Sequence, residues 1–428
     1  MSINPQQPSS GPGRNSSAWN RSGGPGRQVP DQPANPSWMG HVQPQNYRPA
    51  PGHSGGAVHQ VIPEAASTVA ARPGAGTLGL VVGGGILAFV SLFLVVPFLL
   101  ASTGVTGFVI GFVASLIPLA AVLSTVAVID RWEPEPKRLL LFAFTWGAAV
   151  SIAVTLLIQP VFALAAPATD EAAFRDFMTT VQAPVVEEFA KSLGLLLLLL
   201  FARRNFDGPV DGVVFAFTIA GGFAFTENIL YFGRAIAESG TPGSDLVQIF
   251  FLRGVMSPFA HAIFTGTTGL VMGLAARRWH SGVSVLAFFV GLVPAMVLHN
   301  RWNSMGQDFL AQYVLVQVPI FLLAVVCIVV LRVAETRLTR QRLQEYAAAG
   351  WFAPAEVELL STPGGRRQAV RWAGAYNRGH EMKEFVKAAT RLAFTRQRIL
   401  SGRDVPLHQQ DEVQQLRHLT ALRAAVQQ

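Results

Sequence analysis

The stretch Ala183–Phe201 reads APVVEEFAKSLGLLLLLLF, which is almost as apolar as a membrane-spanning helix yet contains three charged residues. Each charge near the centre of a bilayer costs about 2.5–3.5 kcal/mol on insertion scales. Glu187, Glu188 and Lys191 are therefore expected to face a protein interior or a water-filled cavity, where such residues usually act. The stretch predicts a membrane helix around which other helices complete a functional site.

The composition of the whole chain is also that of a membrane protein. Of its 428 residues, 50% are apolar and 14% are charged, and the mean hydropathy is +0.37. The single cysteine, Cys327, excludes an intrachain disulfide and a zinc site built from two cysteines. Much of the formal charge of +8 flanks apolar segments. It therefore indicates topology and anionic-lipid contact rather than nucleic-acid binding.

Three regions are predicted along the chain. Residues 1–76 are rich in Pro, Gly, Ser, Gln and Asn, and are expected to form a disordered cytoplasmic tail without a cleavable signal. Residues 77–333 hold the apolar runs, and residues 334–428 form a small, basic, helical cytoplasmic region. The predicted fold class is thus all-α, a polytopic transmembrane helical bundle.

About eight apolar runs have roughly the length needed to cross a bilayer, which is about 20 residues. Gly and Pro inside several of the runs do not disqualify them as membrane helices. The predicted spans are Leu78–Ala101, Thr106–Ile129, Leu139–Ala166, Val181–Phe201, Val210–Phe232, Ile249–Ala275, Val283–His299 and Phe309–Val333.

The basic residues between the spans predict the orientation. Every second connection carries a basic cluster, whereas the intervening connections carry at most one basic residue each. Because positive charge stays on the cytoplasmic side, both termini are predicted to be cytoplasmic, in a plasma-membrane protein. The clusters are Arg131, Lys137 and Arg138; Arg203 and Arg204; Arg277 and Arg278; and Arg332, Arg337, Arg340 and Arg342.

With this orientation, ionisable side chains from four spans fall in the outer part of the membrane. Glu187 and Glu188 lie about 10 Å below the outer end of the fourth span at about 1.5 Å per residue. Glu227 lies at a similar depth in the fifth span, His261 in the sixth, and His299 ends the seventh. These five residues are the predicted catalytic set.

The sixth span carries a polar stripe, because Arg253, Ser257, His261 and Thr265 recur every fourth residue. Arg253 is predicted to pair with a carboxylate such as Glu227. Ser257 is a poor candidate nucleophile, since the number of carboxylates favours activated water. Peptide hydrolysis needs such a confined water, a base and a group that stabilises the oxyanion.

The two adjacent glutamates cannot have the same role. Neighbouring residues on a helix point about 100° apart. Glu187 and Glu188 therefore cannot face one point equally, so one is predicted to be catalytic and the other structural. The sequence leaves open which is which. It also leaves open whether the carboxylates alone, or a metal held by them and the histidines, activate the water.

Several motifs in order resemble those of the PrsW family of intramembrane proteases. Residues 187–191, EEFAK, match its EExxK pattern, and residues 223–227, FAFTE, resemble its FxxxE helix. His261 and His299 fall on the two helices that follow, and residues 130–137, DRWEPEPK, resemble its acidic, proline-bearing loop. The resemblance covers roughly residues 78–333. It implies membrane-embedded proteolysis of a membrane protein, such as an anti-sigma factor.

The resemblance also implies a metal, written here as Zn²⁺. The expected ligands are Glu227, His261 and His299, with Glu187 or Glu188 activating water. The distantly related prenyl-protein proteases and CPBP proteins use EExxxR, then FxxxH and a further His. This chain has Lys191 at a shorter spacing and Glu227 where a His would lie, which argues against prenylated substrates.

Two other classes of function fit intramembrane Glu and His residues. A transporter or proton pathway would need polar residues through the full thickness of the membrane. The run Leu195 to Leu200 contains no polar residue. The chain also has no internal repeat of the kind that transporters contain. A non-catalytic scaffold would instead tolerate alanine at every membrane carboxylate and histidine.

Overall fold

The structure is a computed structural model that describes residues 75–166, 170–279, 281–306, 308–402 and 405–427. These residues are almost entirely helical and contain no strand, which confirms the predicted fold class. The predicted disorder of the N-terminal tail concerns residues 1–74, which lie outside the described residues; Ala75 and Gly76 belong to the first helix.

The helices are α1 (Ala75–Ile129), α2 (Lys137–Thr145), α3 (Ile152–Ala165), α4 (Glu171–Phe177), α5 (Ala183–Phe201), α6 (Pro209–Ser239), α7 (Ser244–Phe250), α8 (Ala260–Arg278), α9 (Ser281–Asn303), α10 (Phe309–Gln312), α11 (Val318–Ala348), α12 (Pro354–Ser361), α13 (Pro363–Ala375), α14 (Gly379–Leu400) and α15 (Val405–Gln427). Four π-helical turns continue or join them, at Trp146–Ser151, Met178–Gln182, Phe251–Met256 and Tyr313–Gln317.

Six helical segments among the described residues are long and apolar enough to cross a membrane. Helix α5 is not one of them, because its apolar run contains the three charges that mark the site. Helix α1 has 55 residues, so at about 1.5 Å per residue it is far longer than a hydrocarbon core of about 30 Å. The total of eight spans stays a prediction.

Helix α1 consists of two antiparallel halves that meet at Gly104. Its backbone there is non-helical, with φ 63° and ψ 171°, a conformation that glycine adopts without strain. The first half lies against α2, where Gly84 contacts the Phe142 ring. The second half runs along α6 in the opposite direction. Near its start Gly107 lies beside Gly233, and near its end Val126 packs with apolar residues of the first turns of α6.

Helix α6 is the central helix of the bundle and touches its neighbours backbone to backbone. A Cβ atom added at Gly212 would lie 2.0 Å from the carbonyl oxygen of Gly269 on α8. A Cβ atom added at Gly147 would lie 1.8 Å from the carbonyl oxygen of Ile219. Small residues at such crossings are typical of membrane helix packing. They fix the register of α6, which carries Glu227, against α8, which carries His261.

We expect Gly212→Ala to destabilise the protein by about 1–3 kcal/mol, because the new methyl group overlaps backbone that cannot move independently. Gly79→Ala is the matched control, since nothing lies within 4 Å of a Cβ atom there. Alanine in that helix interior should be neutral or stabilising by roughly 0.5–1 kcal/mol. Thermal unfolding in one detergent compares them, and equal effects would contradict the backbone contact.

The loops with basic clusters gather at one end of the bundle, which we call the basic end. An Arg203 guanidinium nitrogen lies 3.3 Å from the carbonyl oxygen of Trp279. Arg332 donates to the carbonyl oxygen of Ile129 at 2.7 Å. The connections without a basic cluster lie at the opposite end, where the turn of α1 at Gly104 is close to the last turns of α6 near Gly233. The alternation expected from the sequence is present, while the assignment of the basic end to the cytoplasm stays a prediction.

The C-terminal helices α12–α15 form a bundle with its own apolar core, and this bundle docks on the basic end. Arg398 of α14 donates to Glu133 at 2.9 Å and also bonds Asp207, so it joins two separate loops. Burial alone would lower the pKa of Arg398, but these two carboxylates raise it above its ordinary value. The Arg366 guanidinium lies 3.6 Å from the centre of the Trp132 ring.

Glu135 is a buried carboxyl at the same end, and none of the residues that the structure describes makes a hydrogen bond to its Oε2. Burial, and after it the nearby carboxylate of Asp211, raise the pKa of Glu135 well above 4.5. The folded protein therefore retains this proton at pH values where the unfolded chain has lost it. Stability must then fall as pH rises above 4.5 and until the raised pKa is reached.

We expect Glu135→Gln to stabilise the protein more at about pH 8 than at about pH 4, because glutamine removes the cost of ionising this buried group. At the lower pH both folded and unfolded states are largely protonated, so the carboxyl contributes little. Unfolding temperatures measured at the two pH values test this. A shift of equal size at both would show that the effect comes from packing rather than from titration.

Candidate active site

The predicted site residues come together inside the membrane bundle. Glu187 and Glu188 lie in the second turn of α5, directly after the π-helical turn Met178–Gln182. His261 is the second residue of α8, His299 lies in the last turns of α9, and Glu227 lies in α6. Both histidines and both glutamates of α5 are buried. The residues that the sequence places at one depth are therefore close together in the structure, while their roles stay a prediction.

Glu188 has a partner on each carboxylate oxygen. Lys191 Nζ lies 2.5 Å and His299 Nδ1 lies 3.0 Å from its Oε1. Thr265 Oγ1 donates to Oε2 at 2.8 Å. Glu188 and Lys191 are both completely buried. Residues of three helices, α5, α8 and α9, therefore hold this carboxylate in place.

Glu187 is the opposite case. Its Oε2 is buried and has no hydrogen-bond partner among the described residues. His299 Nε2 lies 3.8 Å from this atom, beyond hydrogen-bond distance. A buried carboxylate oxygen without a partner is costly unless something binds to it. Glu187 is therefore the carboxylate that remains available to water, substrate or metal.

Glu227 belongs to a second ion pair. Its Oε2 lies 2.6 Å from Arg253 NH2 and 2.8 Å from His261 Nε2. Arg253 also donates through Nε to Asn228 at 2.9 Å, and its guanidinium lies over the Tyr231 ring. The pairing of Arg253 with Glu227 is the one expected from the sequence. Both contacts of Glu227 fall on one oxygen, which leaves Oε1 to accept a proton.

Helix α5 holds both histidines through Nδ1, but with opposite hydrogen-bond directions. The Lys191 ammonium donates to His261 Nδ1 at 3.2 Å, whereas His299 Nδ1 donates to Glu188 at 3.0 Å. Each Nε2 faces a carboxylate, Glu227 or Glu187 respectively. The ring centres are 5.1 Å apart, and the Phe264 ring stacks on His299. The α5 contacts thus direct both Nε2 atoms toward the same carboxylate-lined space.

Three of these residues form a group that can hold a metal ion. One ligand atom each from Glu187, His261 and His299 lie within 4.8 Å of one another. The unpartnered Oε2 of Glu187 fits this role, and a carboxylate with two imidazoles is a common zinc set. The group contains both predicted histidines, but its carboxylate is Glu187 rather than the predicted Glu227. The contacts of Glu227 with Arg253 and His261 give a physical reason for the difference.

The polar stripe on the sixth span is interrupted in the structure. The helix ends at Met256, residues 257–259 form a turn, and α8 begins at Ala260. Ser257 donates to the carbonyl oxygen of Leu252 at 2.8 Å, away from the glutamates. Pro258, which cannot donate a helical hydrogen bond, explains the break. Lys191 and Thr265 were both noted in the sequence, Lys191 as a possible ion-pair partner of Glu187 and Thr265 as part of the polar stripe. In the structure both contact Glu188, a partner that sequence reasoning did not predict.

An apolar core separates the site from the basic end. Leu195, Leu198 and Leu199 of α5 are buried there, together with Phe215 of α6 and Met272 of α8. A continuous polar path across the described bundle would have to pass through this cluster. The arrangement therefore favours a site enclosed at one depth over the transporter alternative.

Comparison with known proteins agrees with this arrangement. Residues 135–330 match the profile of the family described as PrsW family intramembrane metalloprotease. A relative named Protease PrsW from Geobacillus kaustophilus is 30% identical over 211 residues, which are 46% of this chain and 85% of the relative. One from Oceanobacillus iheyensis is 26% identical over 49% of this chain and 88% of the relative.

A third relative of the same name, from Bacillus subtilis, is 25% identical over 44% of this chain and 79% of the relative. No solved structure matches the chain significantly. The matched profile begins at Glu135, after α1, and ends before the C-terminal helices. All five predicted site residues, and Lys191 and Thr265, lie inside it.

Proposed function

This chain belongs to the PrsW family of intramembrane proteases, and we propose that it cleaves its substrates at the space between Glu187, His261 and His299. The observation that carries this proposal is the buried Oε2 of Glu187, which has no hydrogen-bond partner in the described part of the chain and lies 3.8 Å from His299 Nε2. The neighbouring Glu188, which has hydrogen-bond partners on both carboxylate oxygens, orients His299. Glu187 is thus the reactive glutamate of the pair that the sequence left unresolved.

We further propose that Glu187, His261 and His299 hold a divalent metal, and Zn²⁺ is the ion that this donor set suits best. When bound, such an ion supplies Lewis acidity, which activates water and polarises a peptide carbonyl. Support comes from the fit of the three side chains and from the description of the family as metalloproteases.

The remaining residues position the reacting groups and move the proton. Glu188 accepts a hydrogen bond from His299 Nδ1, which leaves the Nε2 lone pair of His299 directed at the Glu187 side. Lys191 balances the charge of Glu188 in the apolar interior. Arg253 holds Glu227 beside His261. Glu227 Oε1 then takes the proton of the attacking water and delivers it to the leaving amine.

The substrate is proposed to be a membrane protein that enters the bilayer beside these helices, with an anti-sigma factor as the expected class. We propose that residues 77–333 form the protease domain, between a cytoplasmic N-terminal tail and the basic C-terminal region. The basic end then faces the cytoplasm of a plasma-membrane protein, and the site lies toward the outer surface. The clustering of basic loops at one end supports this orientation.

Elemental analysis of the detergent-purified protein tests the metal proposal. We expect one zinc per chain in the wild type, and its loss in His261→Ala, His299→Ala and Glu187→Ala. Glu227→Gln is the matched control, because it keeps the ligands and removes the proton acceptor, so it should retain the metal and lose proteolysis. Metal lost in Glu227→Gln but kept in Glu187→Ala would restore the ligand set predicted from the sequence.

The metal proposal would be wrong if the protein were active, contained no metal in any preparation and resisted chelators. In that case the chemistry belongs to the carboxylates alone. Glu187 would act as the base, and the histidines would orient the water or stabilise the oxyanion.

A further inference from the structure

A cavity of about 190 Å³ lies directly behind the histidine pair. At about 30 Å³ per water in the liquid, it has room for roughly six waters, or for one large apolar side chain. Its walls are mostly apolar and come from the break before α8, from the start of α8, from α9, from the π-helical turn Tyr313–Gln317 and from the start of α11. They include Pro258, Ile263, Phe264, Trp302, Gln317 and Phe321.

The Phe264 ring is shared between this cavity and the site. It lines the cavity, stacks on the His299 ring at 5.1 Å and meets the His261 ring edge to face at 5.9 Å. The cavity is therefore about one ring thickness from both histidines. Ala260 and Trp302, which lie close to those histidines in the sequence, also line it.

One wall of the cavity is a loosely held helix. None of the described residues from Phe309 to Ala334 on α10, the π-helical turn and α11 is buried. Polar contacts hold this helix near its two ends, Tyr313 to the carbonyl oxygen of Met256 at one end and Arg332 to that of Ile129 at the other. Between them the rings of Phe321 and Phe259 are 6.1 Å apart.

Gln317, one of the residues that line the cavity, carries an unpaired hydrogen-bond acceptor. Its Oε1 is buried and has no partner among the described residues. A buried amide oxygen without a partner costs free energy, and a peptide N–H is the group that would satisfy it. An apolar recess beside such an acceptor fits one residue of a peptide, with its side chain inside and its backbone N–H on Gln317.

We propose that this cavity is the substrate subsite next to the scissile bond, and that it selects a large apolar residue such as Phe or Leu. The proposal rests on the proposed function, because it takes the histidine pair as the place of cleavage. The substrate segment reaches the cavity between α11 and α8, where the bundle is held most loosely. Gln317 and Ile263 then determine specificity, and neither residue is part of the catalytic machinery.

Cysteine labelling tests the subsite without requiring cleavage. The protein carries Glu187→Gln, Cys327→Ala and Ile263→Cys, and the rate of alkylation by a small maleimide is measured in detergent. The probes are two single-span peptides of about 20 apolar residues, identical except for Phe or Ala near the outer end. The Phe peptide should slow labelling roughly tenfold more than the Ala peptide, because it buries one more aromatic ring.

Val326→Cys is the matched control, since this α11 residue is 56% exposed and does not line the cavity. Its labelling should not distinguish the peptides. Phe321→Cys on the opposite wall repeats the test if Ile263→Cys fails to fold. Equal protection by both peptides, no protection, or the same pattern at Val326 would overturn the subsite. The metal analysis does not depend on the peptides, so a failed subsite and a failed proposed function are told apart.

Discussion

Glu187→Gln is expected to lower proteolysis by about 10²–10⁴-fold, because it removes the anionic oxygen that is proposed to hold the metal or, without a metal, to act as the base. The physical reason is that the buried Oε2 of Glu187 has no partner among the described residues and lies 3.8 Å from His299 Nε2. Because no hydrogen bond of Oε2 is lost, the unfolding temperature measured in metal-free buffer should change little. Cleavage of a membrane-protein substrate in detergent or in cells, beside a thermal melt, measures both quantities.

The matched control is Glu171→Gln on α4. Glu171 is an exposed carboxylate paired with Arg175 on its own helix, so this substitution should leave both activity and stability unchanged. Wild-type cleavage by Glu187→Gln would remove Glu187 from the chemistry. A large fall in unfolding temperature would show instead that Glu187 has a structural partner.

The second large effect concerns stability. Glu188→Ala should destabilise the protein by about 3–5 kcal/mol, because it leaves the ammonium of Lys191 uncompensated in the interior. The pair Glu188→Gln with Lys191→Met should recover much of this loss, since neither buried charge then remains. Denaturant or thermal unfolding of the two proteins provides the comparison. The double variant should still lose activity, because His299 no longer has its carboxylate partner.

Glu384 and Lys387 on α14 supply a control with the same spacing. This pair is also three residues apart, at 2.7 Å, but the side chain of Glu384 is 35% exposed and that of Lys387 is 48% exposed. Breaking it with Glu384→Ala should cost no more than about 1 kcal/mol, as for other surface ion pairs. If both single substitutions had equal effects, the burial of Glu188 and Lys191 would not matter to stability.

Much of the fold was predictable because a long run of apolar residues predicts a membrane helix. The apolar runs located α1, α5, α6 and α9 closely, and the gap between the first two runs contains Gly104, where α1 turns. The site was predictable at the level of depth, since counting residues from a helix end fixes height in the membrane. Depth does not determine the direction in which a side chain points from its helix. That direction decides whether Glu187 or Glu227 lies in one group with the two histidines.

The roles of the adjacent glutamates show why the remainder needed a structure. Their 100° separation says that they differ, but only contacts from other helices say how. Thr265 of α8 and His299 of α9 both reach Glu188 and neither bonds Oε2 of Glu187. The break at Pro258 is similar, because a proline predicts a kink, whereas the structure shows a full turn at residues 257–259 before α8 begins.

Arg398 lies far from the candidate active site, yet its two ion pairs limit where the chain can be truncated. It closes the gap between Glu133 and Asp207, which belong to loops on either side of the central helices. A chain that stops before α14 would leave those carboxylates facing each other without a counter-charge. Removing the C-terminal region to obtain a minimal protease would therefore weaken the membrane part, and a truncation series should be paired with neutral residues at both positions.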